Sequence, residues 1–328
     1  MIPPTHTLEL AGFGCFGKLP ISREYIVEGS RWLSESGFDQ WIGEGVGLAK
    51  ARLDQHFHQR ITGFPHYRFF WDGGQDNQLA GVMCPSEDAA GRKSPFALFA
   101  CLRGSRISAI STALQVWSLQ EQAATLLESV STAESPVTLR ESIRSADQNP
   151  PFNNQDFQAE YQRFLAEQSG GSFWRNVGAT TDDGGRFTVL QALVETLEPL
   201  RRNKNRAFRG GIQYPLSRGN STDTALESCF WLDLTENCLG HPLASSWWFR
   251  SPGEPQADSR HLFLFLSPPT GNQWISLIDP DMDLESISYL DRPYGVEPPE
   301  QRMDPNLRAI LESETSNLGE YLRWASES

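Results

Sequence analysis

Apolar residues in the first half of the chain follow spacings that predict several helices and four strands. A mostly apolar run at residues 8–16 predicts a strand, and apolar side chains recur at helical spacing over residues 35–58. A second helix is predicted from about residue 109 to residue 130, and a further one just before the proline-rich break at residues 148–151. Between these helical patterns lie three β-rich segments separated by turn residues, at 67–71, 79–84 and 95–102.

The second half of the chain repeats that order of elements. Helical patterns at 156–168 and 187–200 come first. The segments that follow are a strand at 207–214, a helix at about 222–237, strands at 246–250, 261–267 and 273–278, and a helix at about 305–325. Strand, helix, three strands and helix therefore occur twice, although the halves share no convincing sequence identity. A duplication of this kind requires the two sheets to superpose in strand order.

The predicted fold class is α+β. Successive strands joined by short turns pair antiparallel, and helices at either end of such a run cover a sheet face. We therefore expect antiparallel sheets flanked by helices, in profilin-like or longin-like units, with two units of similar order if the duplication holds. The break at 148–151 divides the chain into an N-terminal α+β domain at 1–147 and a C-terminal α+β domain with a helical linker region at 148–328.

Composition excludes several classes of partner. The 328-residue chain carries a net charge of −13, which argues against a nucleic-acid binder. No apolar run approaches the roughly 20 residues that a spanning helix needs, so we expect no membrane insertion. The first residues lack the basic and apolar regions of a signal peptide, which predicts a cytoplasmic protein. The five cysteines form no C-x-x-C pair and are interpreted as small buried side chains in a reducing compartment.

The stretch from Gly12 to Lys18 nearly satisfies two nucleotide-binding patterns. Gly12, Gly17 and Lys18 have P-loop spacing, but Leu19 stands where a hydroxyl must bind Mg²⁺. The three glycines Gly12, Gly14 and Gly17 also fit the dinucleotide fingerprint, which must open a helix. Pro20 removes a backbone donor at that point and favours an extended conformation before it. The alternative to a phosphate cradle is a glycine-rich strand or tight turn.

Other patterns that carry chemistry are incomplete. Asp279, Asp281 and Asp283 alternate as in a calcium loop, but Leu284 and Leu290 stand where that loop needs glycine and glutamate. No G-x-S-x-G elbow is present to expose a nucleophilic serine. We therefore expect no catalytic residue, no metal site and no cofactor.

One basic cluster stands out in this acidic chain. Its members follow the helical pattern at 187–200 and are Arg201, Arg202, Lys204, Arg206 and Arg209. A helix C-terminus whose cations complement the helix dipole explains such a cluster. The alternative is a surface that binds an anion or an acidic partner.

Adjacent Trp247 and Trp248 lie in a predicted strand, where neighbouring side chains point to opposite sheet faces. Core packing on two faces is the favoured interpretation, with a binding hot spot as the alternative.

Two ordered blocks resemble the TagF (ImpM) family, accessory proteins of bacterial type VI secretion systems. The first block runs from Gly14 through Gly17-Lys18-Leu19 to Pro20. The second occupies residues 80–95, where an apolar strand leads into Pro85, Ser86, Asp88, Gly91 and Arg92. The resemblance covers about residues 12–103 and includes Trp41 in the helix between the blocks. The family usually continues with a Gly-Asp-Phe-like step, where this chain has Arg23-Glu24-Tyr25.

The resemblance implies a cytosolic regulator rather than an enzyme. It implies post-translational repression of secretion-system assembly through binding to a forkhead-associated scaffold protein, in opposition to a threonine kinase. The residues of the two blocks are then the partner-binding or shape-determining set, with Lys18, Asp88 and Arg92 in partner contacts or in internal ion pairs. The alternative is a divergent nucleotide-binding or phosphoryl-transfer protein that uses the Gly12–Lys18 stretch.

Overall fold

The structure, a computed structural model, has a mixed β-sheet whose strands come from both halves of the chain. It describes residues 8–73, 77–104, 108–147, 155–178, 185–203, 208–242, 245–250, 260–280, 282–292 and 303–327. The α+β fold class is confirmed, because the sheet is mostly antiparallel and helices flank it.

Nine strands in the described ranges form the sheet. They are β1 Glu9–Gly17, β2 Ile26–Glu28, β3 Tyr67–Asp72, β4 Asn77–Glu87, β5 Lys93–Arg103, β6 Gly211–Leu216, β7 Ser246–Arg250, β8 Arg260–Phe265 and β9 Ile287–Tyr289. Their spatial order is β2-β1-β5-β4-β3-β7-β8-β6-β9. All neighbours pair antiparallel except β6 and β9, which are parallel. The two halves of the chain join where β3 pairs with β7 and Phe69 lies opposite Trp248.

Helices lie between and after these strands. They are α1 Ser30–Ser36, α2 Phe38–Leu53, α3 Phe57–Thr62, α4 Ala109–Ser131, α5 Pro136–Asp147, α6 Gln155–Glu167, α7 Gly170–Asn176, α8 Gly185–Arg202, α9 Ser221–Leu239, α10 Ile275–Ile278, α11 Pro305–Glu312 and α12 Leu318–Glu327. Helix α9 begins with a capping box between Asn220 and Asp223 and ends at Gly240, whose φ of 67° is left-handed. In the described part of the chain, no helix combines the length and apolar character needed to cross a bilayer.

The sheet buries a core on each face. On the first face, α4 to α9, α11 and α12 pack against strand side chains that include Phe70 and Trp247. On the second face, α1, α2, α3 and α10 pack against side chains that include Phe69 and Trp248. Trp247 and Trp248 thus enter opposite cores, and neither is more than 1% exposed. This confirms the interpretation of the tryptophan pair as core packing on two faces.

The two halves are not repeats of one unit. The segment α1 to α3 connects β1 with β3, which run antiparallel through the intervening β5 and β4. Helix α9 connects β6 with β7, which run parallel on either side of β8. The connecting helices also cover opposite faces of the sheet. The expectation of two sheets with the same strand order was therefore wrong, and the division at residue 147 stays a prediction because the sheet continues across it.

Several predicted elements differ from those observed. The expected strand at 273–278 is a turn followed by the short helix α10. The segment is buried throughout, so its apolar residues do not alternate with polar ones at the spacing that indicates a helix. The helix expected over 35–58 is interrupted at Gly37, which has a φ of 68°, and again at Asp54. The helix expected over 305–325 is divided between α11 and α12. Strands β2 and β9, of three residues each, and helix α7 were not predicted.

Candidate functional site

The glycines of the first signature block lie inside strand β1, which pairs with β2 on one side and β5 on the other. A Cβ at Gly14 would lie 2.7 Å from the Phe99 ring, and one at Gly17 would lie 2.3 Å from the Pro95 carbonyl oxygen. Gly17 also has a φ of 140°, which side-chain-bearing residues rarely adopt. These glycines therefore serve close strand packing. Since the block does not open a helix, it does not form the phosphate cradle of either nucleotide pattern.

Lys18 follows β1 and reaches across to the second signature block. Its ammonium lies 2.6 Å from Oδ2 of Asp88, and the two side chains are 9% and 0% exposed. Arg92 donates from Nε to the same oxygen at 2.6 Å, while its own side chain is 58% exposed. The ion pairs Lys18–Asp88 and Arg92–Asp88 thus form one network with a buried carboxylate at its centre.

The Asp88 carboxylate also shapes the turn between β4 and β5. Its Oδ1 accepts hydrogen bonds from the backbone N–H groups of Ala90 and Arg92, each at 2.9 Å. Gly91 takes a φ of 76° within this turn. Burial by itself would raise the pKa of Asp88, but hydrogen bonds from Lys18, Arg92 and Ala90 hold that pKa well below its usual range. Asp88 therefore remains ionised and holds both the turn and Lys18.

The turn after β1 is fixed to the same loop. The Ser22 N–H donates to the Leu19 carbonyl at 3.1 Å, and the Ala89 N–H donates to the Ser22 carbonyl at 2.9 Å. Together with the Lys18–Asp88 pair, these contacts set the position of Leu19 and Pro20 beside the end of β4.

A cleft of about 670 Å³ opens between this turn, the end of β4, α3 and the C-terminal half of α4. The signature residues Leu19, Pro20, Pro85 and Ser86 line it. The structure thus divides the predicted site residues into two groups. These four face the cleft, whereas Gly14, Gly17, Lys18, Asp88, Gly91 and Arg92 form the backbone geometry and ion pairs behind it.

Arg68 also lines the cleft, and it was not among the predicted site residues. Its side chain is 5% exposed, and its Nη2 lies 2.6 Å from the Glu121 carboxylate and 2.8 Å from the Ser221 hydroxyl. The guanidinium carbon lies 4.8 Å from the centre of the Trp117 ring. Burial lowers the pKa of Arg68, and the charge of Glu121 opposes that shift. The available sequence signal was one charged residue within the otherwise apolar segment predicted as a strand at 67–71.

The predicted basic cluster begins at the C-terminal end of α8. Arg201 and Arg202 occupy the last turn of that helix, and Arg202 pairs with Glu198 at 2.7 Å. Arg201 lines a second cavity of about 560 Å³ between α8, α11 and α12. The Arg209 carbonyl accepts a hydrogen bond from Gln273. Lys204 and Arg206 lie outside the described residues. The helix C-terminus accounts for Arg201 and Arg202, and neither of them lines the cleft beside the signature blocks.

Several other titratable groups lie in or beside the core. All five cysteines are free thiols, and burial raises the pKa of Cys15 and Cys238 to about 12. Glu227 in α9 accepts a hydrogen bond from the Ser217 N–H at 2.8 Å, and burial raises its pKa to about 7. Within the described ranges, no group of three or more histidine, cysteine or carboxylate side chains is placed to hold a metal ion. Asp279 instead pairs with Arg60 at 3.2 Å, and Asp281 lies outside the described residues.

Comparison with known proteins identifies the N-terminal part of the chain. Residues 14–146 match the TagF N-terminal domain, which is described as Type VI secretion system-associated. Among solved structures, the crystal structure of PA0076 from Pseudomonas aeruginosa PAO1 at 2.05 Å resolution is similar. It has 16% sequence identity and a TM-score of 0.43, over 83% of this chain and 96% of that one. No curated protein matches the sequence. Residues 14–146 thus match the TagF N-terminal domain, a type VI secretion-associated domain, as the two signature blocks indicated.

Proposed function

We propose that this chain is a cytoplasmic, non-enzymatic regulator of a type VI secretion system. In this proposal it represses assembly of the apparatus after translation by binding a forkhead-associated scaffold protein. It requires no cofactor, and neither nucleic acid nor a membrane is its target.

The observation that carries the proposal is the convergence of the two signature blocks on one open cleft. Lys18 and Asp88 are 70 residues apart in sequence, yet their buried ion pair fixes Leu19 and Pro20 beside Pro85 and Ser86. A buried ion pair contributes little net stability compared with apolar packing, so its presence here fits a requirement for a defined surface. An apolar cleft with a polar rim is the kind of surface that binds a protein segment.

In this proposal the signature residues have two roles. Leu19, Pro20, Pro85 and Ser86 contact the partner directly. Gly14, Gly17, Lys18, Asp88, Gly91 and Arg92 keep the contacting residues in place. The Arg23-Glu24-Tyr25 departure from the family pattern lies next to the same turn, so it is expected to alter affinity or partner choice.

The rival function is nucleotide binding by the Gly12–Lys18 stretch. The strand geometry of β1 and the pairing of Lys18 with Asp88 weigh against it. Thermal unfolding with ATP and GTP, with and without Mg²⁺, tests the rival, because a ligand specific for the native state raises its stability. A stabilisation that Lys18→Ala abolishes would favour the nucleotide reading over the regulatory one.

The main test of the proposal combines binding with secretion. The purified chain is titrated into the forkhead-associated scaffold protein of its own apparatus, and secretion is measured in cells that overproduce or lack the chain. The proposal expects direct binding, loss of secretion on overproduction and increased secretion on deletion. Absence of binding together with unchanged secretion would contradict it.

The basic cluster is an alternative contact surface and requires a separate experiment. Arg201→Glu and Arg202→Glu together reverse two charges at the end of α8. Unchanged affinity for the scaffold protein would remove the cluster from the interface, whereas a loss confined to this variant would move the interface there.

A further inference from the structure

We infer that β2 is the contact edge of a symmetric homodimer, in which β2 of a second copy of this chain pairs antiparallel with it across a two-fold axis at Val27. The inference does not depend on the proposed function, because it follows from the strand edge and from the side chains beside it. In such a dimer the two sheets join into one, and Val27 of one copy lies opposite Val27 of the other.

The outer edge of β2 has no neighbouring strand in the part of the chain that the structure describes. β2 ends the sheet at one side, and its inner edge pairs with residues 15–17 of β1. Protein sheets usually protect an open edge with charged side chains or proline, but the central residue of β2 is Val27. Because β2 has only three residues, backbone pairing needs support from the side chains beside the edge.

Exposed apolar side chains concentrate near this edge. The described ranges contain four exposed large hydrophobic side chains, and three of them are Tyr25, Val27 and Val137. Tyr25 stacks on Phe16 with 5.3 Å between the ring centres, and Phe16 pairs with Val27 across the two strands. Tyr25 and Val27 are 43% and 36% exposed, so they form an apolar patch on the second face of the sheet at its edge.

A further apolar side chain flanks the first face of the edge. Glu28 of β2 pairs with Arg140 of α5, and Val137 lies one turn before Arg140 on the same helix and is 60% exposed. A two-fold axis perpendicular to the sheet keeps each face on its own side. Each apolar patch therefore meets the same patch of the second copy, as a symmetric interface requires.

Charge selects the register of the pairing. Side chains directly opposite each other in an antiparallel pair lie on the same face, and like charges in those positions are unfavourable. A two-fold axis at the first residue of β2 places Glu24 opposite Glu28, and an axis at the last residue places two Glu28 carboxylates opposite each other. An axis at Val27 avoids both clashes and places Tyr25 opposite Gly29, where no side chain obstructs its ring.

Sedimentation equilibrium of the full chain tests the dimer, with two lysine variants as a matched pair. Val27→Lys places two like charges opposite each other at the axis. Leu48→Lys replaces another exposed apolar side chain, on α2 beside Gly271. We expect the wild type and Leu48→Lys to sediment as dimers and Val27→Lys to sediment as a monomer. Both substituted positions are exposed, so both variants should keep the wild-type fold.

Cysteine crosslinking tests the register. In Val27→Cys the two new thiols face each other across the axis, so oxidation with diamide should give a disulfide-linked dimer. Leu48→Cys is the control for an exposed cysteine elsewhere, and the wild type with its five free cysteines gives the background.

Three results would each overturn the inference. They are a wild-type chain that sediments as a monomer at its highest soluble concentration, a dimer that persists in Val27→Lys, and a Val27→Cys disulfide that forms no faster than that of Leu48→Cys.

Discussion

The Lys18 ammonium lies 2.6 Å from the Asp88 carboxylate, and both groups are shielded from solvent. One residue follows the first strand and the other begins the turn between two later strands, so the contact connects the two signature blocks of the chain. Arg92 shares the same carboxylate from a more exposed position. Lys18 has the sequence position of a phosphate-binding lysine, but in this protein it forms an internal ion pair.

Lys18→Met should destabilise the protein more than Arg92→Met does. The first substitution leaves a buried carboxylate without its most buried partner, whereas the second removes a largely exposed partner whose charge is screened by solvent. Because the folded pKa of Asp88 is depressed, its stabilising contribution is present above the unfolded pKa of about 3.9 and is lost as the pH falls through the folded value. Urea unfolding should therefore show the effect of Lys18→Met at neutral pH and a smaller effect in acid. Equal losses for the two variants would contradict this account.

Gly17→Ala should destabilise the chain by roughly 2 kcal/mol or more, since the new methyl group meets backbone atoms and the φ of 140° is strained. Gly43 in α2 is the matched control, because a Cβ there meets nothing within 4 Å. Gly43→Ala should stabilise the helix by about 0.5–1 kcal/mol. Chemical denaturation of both variants checks the prediction, and a neutral Gly17→Ala would show that the strand can separate from β5.

Glu227 should make the protein less stable as the pH rises from 4.5 to about 7, the span between its ordinary and its folded pKa. In this window the folded state binds the proton more tightly than the unfolded state does. The stabilising contribution of protonated Glu227 is therefore fully present below pH 4.5, and it falls by an amount on the order of 3 kcal/mol as the pH rises to about 7. Glu227→Gln should remove this fall while keeping an acceptor for the Ser217 N–H. The measurement is the difference in unfolding free energy between the two proteins across pH. A difference that does not change with pH would refute the prediction.

The fragment 1–147 should associate with itself when it is produced alone. In this fragment the sheet ends at β3, whose second edge is paired with β7 in the complete chain. Phe70 and Trp71 lie beside that edge and become exposed in the fragment. Unpaired strand edges next to apolar side chains promote association. Analytical ultracentrifugation of the fragment and of the full chain provides the comparison. A monomeric, cooperatively folding fragment would instead support independent domains on either side of residue 147.

Some features of the site could be predicted from the sequence because they depend on local geometry. Turn residues separate the predicted strands at 79–84 and 95–102, and the structure has a turn between β4 and β5 in which Asp88 accepts backbone hydrogen bonds and Gly91 has a positive φ. The alternation of Trp247 and Trp248 between two cores follows from the two-residue period of a strand. The signature blocks, which cover about residues 12–103, indicated the family whose N-terminal domain matches residues 14–146.

Other features required the tertiary structure because they depend on contacts between distant residues. Nothing in the local pattern distinguishes the buried helix α10 from a strand, since burial on all sides removes the periodic signal. The repeated order of elements suggested two sheets, but strand order depends on which edges meet, and here β3 meets β7.

The sequence by itself determined the α+β class, most helices and strands, and the family domain. The hydrophobic period, the turn residues and the motifs that indicate these features all depend on residues that are close together in the sequence. Only the tertiary structure decided that Lys18 is an internal ion-pair partner, that Leu19 and Pro85 face one cleft, and that Arg68 lies within it. These relationships join residues far apart in the chain, and their position is fixed by the packing of the whole sheet with its helices.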